Sequence, residues 1–154
     1  MAGELYAALA QIKVDVAAIT GVQVAHLGQA LTAIANATAT KAEAAVYVTR
    51  GGPMSDTYKS TTEVHVVEVK FYWLLTPANV EVVEQATAEM WDLVMAKFFG
   101  SDPDRNLSEK CTIALVAGEN GREQYMAGYE EVGGKIHRVL IVPIEVTLDT
   151  HAIA

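Results

Sequence analysis

Four histidines, His26, His65, His137 and His151, and one cysteine, Cys111, are the side chains with the widest chemical range in this 154-residue chain. Imidazole binds metals and moves protons near neutral pH, and a thiolate is a nucleophile. Their spacing supports neither use. No two histidines stand four residues apart, as on a metal-binding helix, and no carboxylate joins them at metal-site spacing. His65 and His137 fall on the polar phase of strand-like stretches and read as solvated. Cys111 opens an apolar strand pattern and reads as a buried, inert thiol. A single cysteine also rules out an internal disulfide framework or a cysteine-based zinc site, and fits a reducing, intracellular origin.

The remaining candidates are weaker. The glycine-containing stretches GGP and GENG lack the Lys-Ser/Thr pair of a phosphate loop and read as turns. Glu130-Glu131 lies beside Gly133 at a hairpin end, with no second carboxylate placed opposite for acid–base work. Trp73 and Trp91 sit in core patterns. No catalytic, cofactor-binding or metal-binding residue is assigned, no cofactor is expected, and the chain is not expected to be an enzyme.

Composition narrows the class. With 51% hydrophobic and 19% charged residues, the chain reads as one folded domain, large enough to bury roughly 70% of its unfolded surface. A net charge of −8 opposes binding to phosphates, so direct nucleic-acid recognition is not expected. The N-terminal stretch carries Glu4, Lys13 and Asp15 within its apolar run and reads as neither signal peptide nor membrane span.

The elements follow from periodicity. Leu5, Leu9, Ile12, Val16 and Ile19 recur at intervals of four and three, which predicts a helix ending at Gly21, with Lys13 and Asp15 off its apolar stripe. Leu27, Leu31 and Ile34 suggest a short helical piece before a low-information Ala/Thr run. AEAAVYVTR predicts a strand with Val46 and Val48 on one face and Tyr47 on the other.

A long strand over 62–75 changes its apolar phase, from Val64 and Val66 to Val69, Phe71 and Trp73. That requires either a β-bulge near Val66–Val67 or cover on both faces. Thr76-Pro77 reads as a capped helix entry, followed by a stripe of Val80, Val83, Thr87, Met90, Val94 and Phe98, widened by Trp91 and stopped at Gly100.

Three further strands are expected, with hairpin turns at Asn120-Gly121 and Gly133-Gly134. In the last one Ile136, Leu140, Val142, Ile144, Val146 and Leu148 share a face, while Val139 and Ile141 mark the other, so that strand reads as central and doubly covered. Pro143 inside it needs a bulge or an unpaired donor position. The sum is an α+β domain: an antiparallel or mixed sheet of about five strands, with an N-terminal helix and one long central helix packed on it.

The connection RGGPMSDTYKST joins two good strands and is long and polar. It reads either as slack or as a surface offered to a partner, and long loops in compact domains favour the second. Arg50, Met54, Asp56, Tyr58 and Lys59 are its candidate interface residues, with Gly51 and Gly52 as hinges.

With this layout the chain resembles the tail terminator proteins of long-tailed, siphovirus-type bacteriophages. The resemblance runs from Leu5 to Leu148. It rests on an amphipathic first helix ending in GV, then AVYVTR, the polar loop, EVHVVEVKFYWLLTPANVEVVEQATAEMWDLV, and RVLIVPIEVTL after a tyrosine-bearing strand. It is a match of pattern and length, with no signature motif.

The resemblance implies a structural virion protein without cofactor, assembled in the host cytoplasm and placed at the head-proximal end of the tail. Its copies would form a ring, a hexamer, on the last ring of tail tube protein, end polymerisation there and meet a head-completion or neck protein. DNA would pass through the lumen without specific binding, and no membrane is involved. In this reading residues 50–61 form a projecting arm that orders on contact. The alternatives are a head–tail connector or minor tail completion protein, and, from another class, a small ligand-binding α+β domain.

Overall fold

The computed structural model describes residues 4–29, 34, 36–56, 60–99, 111–115 and 126–151. Two helices lie on one face of a six-stranded mixed sheet, an α+β arrangement. The first helix, α1 (Glu4–Ala17), buries Ala8, Ile12, Asp15 and Val16. Asp15, expected off the stripe, is buried, and Gln11 one turn earlier offsets part of the cost by donating to its Oδ1 at 3.0 Å.

The expected helical piece at Leu27, Leu31 and Ile34 is replaced, in its described part, by a strand, β1 (Val22–Leu27). Gly21, with φ at 97°, turns the chain out of α1, and its carbonyl accepts from Ala42 N–H at 2.7 Å. That contact seeds parallel pairing of β1 with β2 (Ala42–Asp56), from Val22↔Ala42 to Leu27↔Val46. The alternation of Val22 and Val24 around Gln23 was the strand signal, and the spacing of the leucines masked it. β1 brings the sheet to six strands where about five were expected.

β2 pairs antiparallel with β3 (Ser60–Leu74), and β3 pairs along its whole length with β6 (Lys135–His151), from Ser60↔His151 to Leu74↔His137. The far edge of β6 is shared by β5 (Met126–Val132) over 135–141 and by β4 (Thr112–Leu115) over 144–147. Pro143 falls in the short interval between those two partners, where a missing N–H breaks no pairing described on that edge. The β5–β6 hairpin turns through Gly133 and Gly134 at φ of 61° and 79°, the type I′ signs that the Gly-Gly pair predicts. The Asn120-Gly121 turn and the stop at Gly100 lie outside the described residues.

Between the sheet and the second helix, α2 (Val80–Phe99), the helix entry differs from expectation. Pro77 does not open the helix. Asn79 N–H donates to Thr76 O at 3.1 Å, which makes Thr76–Asn79 a turn with Pro77 in its second position. Asn79 is the residue whose carbonyl accepts the first helical bond, from Val83 N–H at 3.0 Å. Its amide reaches back, accepting from Thr76 N–H at 2.8 Å and donating to Leu74 O at 3.3 Å. Val83, Thr87, Met90, Val94 and Phe98 are buried, whereas Val80 at the first position faces solvent. Thr87 satisfies its hydroxyl on Val83 O.

The main core lies between helices and sheet. Ala42, Ala44 and Val46 of β2, Val67 to Trp73 at alternate positions of β3, and Leu140 to Leu148 at alternate positions of β6 meet α1 and α2 there. Ile136, expected on that face, extends past the helix layer and is exposed.

A second, smaller cluster on the opposite face contains Ala45, Tyr72 and Val139, covered by Ile34 and Ala37. β3 is therefore covered twice, as one of the two alternatives required. Its alternation is unbroken against β6, and the extra residue is Thr49 on β2, between the Val48↔Val67 and Arg50↔Val66 pairs. The bulge sits beside the expected step but in the neighbouring strand.

Candidate functional site

Arg50 to Asp56, expected as loop, are strand. The pairing runs on from Arg50↔Val66 to Asp56↔Thr61. The reason is on the other side of the hairpin. Thr61, Thr62 and Val64 are strand formers, and β6 supplies a paired partner to β3 as far as Ser60. An arm that orders only on contact is therefore replaced, over the described residues, by a paired hairpin.

Arg50 is exposed on the face turned away from the helices, opposite Val66. Met54 is the extra residue of a second bulge, between the Pro53↔Glu63 and Ser55↔Thr62 pairs, and Asp56 is the last described residue of β2. The side chains of Met54 and Asp56, and Tyr58 and Lys59 altogether, lie outside the described residues.

Gly51 has a different role from the hinge expected of it. It stands opposite His65, and a Cβ at this position would collide with the imidazole, meeting Nδ1 first. His65 is not on a solvated phase either: it shares the helix-side face with Val67, half-buried, with Nε2 sealed from solvent. The glycine makes room for a ring that lies across the strand pair.

Burial shows where the hairpin leaves the core. On β3 every residue from Val69 to Trp73 is buried, as is Val67, whereas 62–66 are half-buried. On β2 burial ends at Val46, and Thr49, Arg50 and Gly51 are exposed. A 15-residue strand spans about 50 Å, and the 20-residue α2 about 30 Å, so the sheet outruns its helical cover.

Among the described residues the outer edge of this extension is unpaired, and it is guarded. β1 pairs β2 only as far as Val46, and beyond that point β2 carries two bulges, the charge of Arg50 and the missing donor of Pro53. Those are the features that prevent strand addition.

Sequence reasoning missed a polar cluster on the face opposite the helices. Glu43 Oε1 accepts from His26 Nε2 and Asn36 Nδ2, each at 3.0 Å. Tyr47 donates to Glu68 at 2.7 Å. Lys70 Nζ lies 3.3 Å from both Glu130 oxygens and 5.9 Å from the centre of the Tyr47 ring. His137, expected solvated, is 1% exposed, its ring edge-on to Tyr72 at 6.3 Å.

Burial first, then the neighbouring carboxylates, push the Tyr47 and Tyr72 hydroxyls well above the ordinary tyrosine range. Both hydroxyls stay protonated, and that of Tyr47 donates to Glu68. Lys70 is held by Glu130, and Glu43 by two donors. The cluster closes on itself and ties β1, β2, β3, β5 and β6 together. Glu43, Glu68, Lys70 and Glu130 sit on alternate strand positions, the pattern of a solvated face, and nothing in the sequence marks that the chain folds back over part of them.

At the other end of the sheet, Arg138 bridges to the Glu84 carboxylate at 3.0 Å and to Gly128 O at 3.3 Å, and stacks 4.7 Å from the Tyr129 ring centre. This fixes the start of α2 to the β5–β6 hairpin. Val80, Val82, Tyr129 and Ile136 are exposed large apolar side chains on these same elements. Among the described residues no group of three or more His, Cys, Asp or Glu is placed to hold a metal ion, and no helix is long and apolar enough to cross a membrane. The chain matches no protein-family model and no curated protein sequence.

Proposed function

We propose that the chain is a tail-terminator-like assembly protein, which closes as a ring of six on the end of a phage tail tube. There it stops polymerisation and offers its outer surface to a head-completion protein, in the virion at the head-proximal end of the tail. The observation that carries this reading is the β2–β3 hairpin, a paired arm that outruns the helix-covered core and whose edge is closed to strand addition. Such an arm suits docking by side chains onto a neighbour of defined shape.

A closed ring needs two different surfaces on each subunit. The arm lies at the Ser60↔His151 end of the sheet, and the exposed Val80, Tyr129 and Ile136 lie toward the Leu74↔His137 end. Surfaces at opposite ends of one sheet are what a head-to-tail contact uses, which supports the reading. The net charge of −8 is compatible with a lumen that DNA crosses without adhering. The apolar second face, by contrast, is taken in part by Ile34 and Ala37.

Negative-stain imaging with mass photometry across a concentration series tests the reading. Six-membered rings with an open centre, free or seated on purified tail tubes, are expected. Monomers at every concentration, with no binding to tubes, overturn it.

A further inference from the structure

Residues 36–41, together with Ile34, fold back from the connection between β1 and β2 over the sheet face opposite the helices. Ile34 and Ala37 pack on Ala45, Tyr72 and Val139. Among the described residues, two hydrogen bonds anchor it: Thr38 O accepts from Leu74 N–H at 3.1 Å, and Asn36 Nδ2 donates to Glu43 at 3.0 Å, while the bond from Thr38 N–H to Lys41 O at 2.8 Å closes a turn within the strap. Ala39 of this strap packs against the helix-side core.

On this face lies His137, directly opposite Leu74 in the β3–β6 register. Its Nδ1 is 3.1 Å from Lys135 O. A carbonyl can only accept, so the neutral ring carries its proton on Nδ1 and presents Nε2 bare. That Nε2 is buried and has no hydrogen-bond partner among the described residues. A second proton there would place a charge out of contact with water and, among the described residues, without a hydrogen-bond acceptor.

We propose that residues 36–41 are an acid-released strap: protonation of His137 lifts them from the sheet and uncovers Ala45, Tyr72 and Val139. The groups facing His137 come from each neighbouring strand. Glu43 on β2 and Glu130 on β5 favour the charged ring, as does the Lys135 carbonyl, while the Lys135 side chain opposes it. Glu43 is already engaged by His26 of β1 and Asn36, Glu130 by Lys70 of β3, and Tyr72 of β3 is neutral.

Burial outweighs these attractions and lowers the His137 pKa below its ordinary 6.5. The sign follows. The closed strap is fully favoured above about pH 6.5 and loses stability as the pH falls below it, because the open state binds the proton more readily. The strap meets this site through Leu74, whose N–H it holds and which stands opposite His137, and through Val139, two residues along β6, on which Ile34 and Ala37 pack.

Leu74 N–H is the reporter, because its bond is to the strap and not to β6. Native-state hydrogen exchange, corrected for intrinsic rates, is compared at Leu74 and Val69 between pH 7.5 and 5.0. Leu74 protection is expected to fall by up to about 30-fold, Val69 protection to hold, and the fall to vanish in His137→Gln. A flat Leu74 profile, a fall shared equally by Val69, or a fall retained in His137→Gln each overturns the strap. Should His137→Gln not fold, the imidazole NMR titration in the native protein replaces it. A His137 ring titrating in step with Leu74 opening supports the proposal, and one titrating at an ordinary value with no link to opening sinks it.

Discussion

At the scale of single residues, close approach matters more here than reactivity. Gly51 and His65 occupy one cross-strand site, and the space a side chain would need at position 51 is filled by imidazole. Gly51→Ala is therefore expected to destabilise the fold by about 1–3 kcal/mol, as overpacking does. In a His65→Ala background the same change should cost much less, because the clash is gone. A double-mutant cycle by urea unfolding measures the coupling. Equal costs in the two backgrounds would return Gly51 to a plain backbone role.

The same pair shows what a sequence hides. Gly51-Gly52 has the composition of a hinge, and nothing in it reports a ring lying across the strand. His137 was concealed in a related way: a histidine at an alternate strand position reads as solvated, and of the residues that pack on its face of the sheet Ile34 carried a helical spacing and Ala37 lay in an Ala/Thr run with no periodicity.

At the scale of elements, regular patterns were legible and junctions were not. The α1 stripe, the α2 stripe from Val83 to Phe98, and the doubly apolar β6 follow from spacing alone, because burial on one face imposes periods of 3.6 and 2. The Thr76–Asn79 junction did not, since Thr-Pro is as good an opening for a turn as for a helix. Asn79 does the work instead, binding the end of β3 with one amide and ending the turn with its backbone.

Asn79→Ala is expected to cost about 1 kcal/mol, more than Thr76→Ala, whose side chain makes no described bond to the helix. Thermal unfolding of the two variants distinguishes these roles. A larger loss at Thr76 would restore the sequence-based cap. The missed β1 and the extended β2–β3 hairpin have one cause. Strand pairing is non-local, and residues of modest propensity become strand when a partner edge is present on one side.

At the scale of the molecule, the β2–β3 arm separates stability from assembly. Its core ends near Val67 on β3, and among the described residues Leu148, opposite Glu63, is the buried side chain nearest the distal pairs. Replacing residues 54–62 by an Asn-Gly turn keeps the Pro53↔Glu63 pair and removes Met54, Asp56, Tyr58 and Lys59 together. The shortened protein should melt within about 4 °C of the parent, the shift expected from a change near 1 kcal/mol in a chain of this size. Ring formation, followed by mass photometry, should require at least about tenfold more protein, equivalent to about 1.4 kcal/mol of lost contact. Charge reversal at Arg50, which is exposed and makes no ion pair among the described residues, should weaken rings in the same direction without touching the melt. Rings that form unchanged from the shortened chain would place the subunit contact elsewhere on the sheet, and a collapsed melting temperature would make the arm part of the core after all.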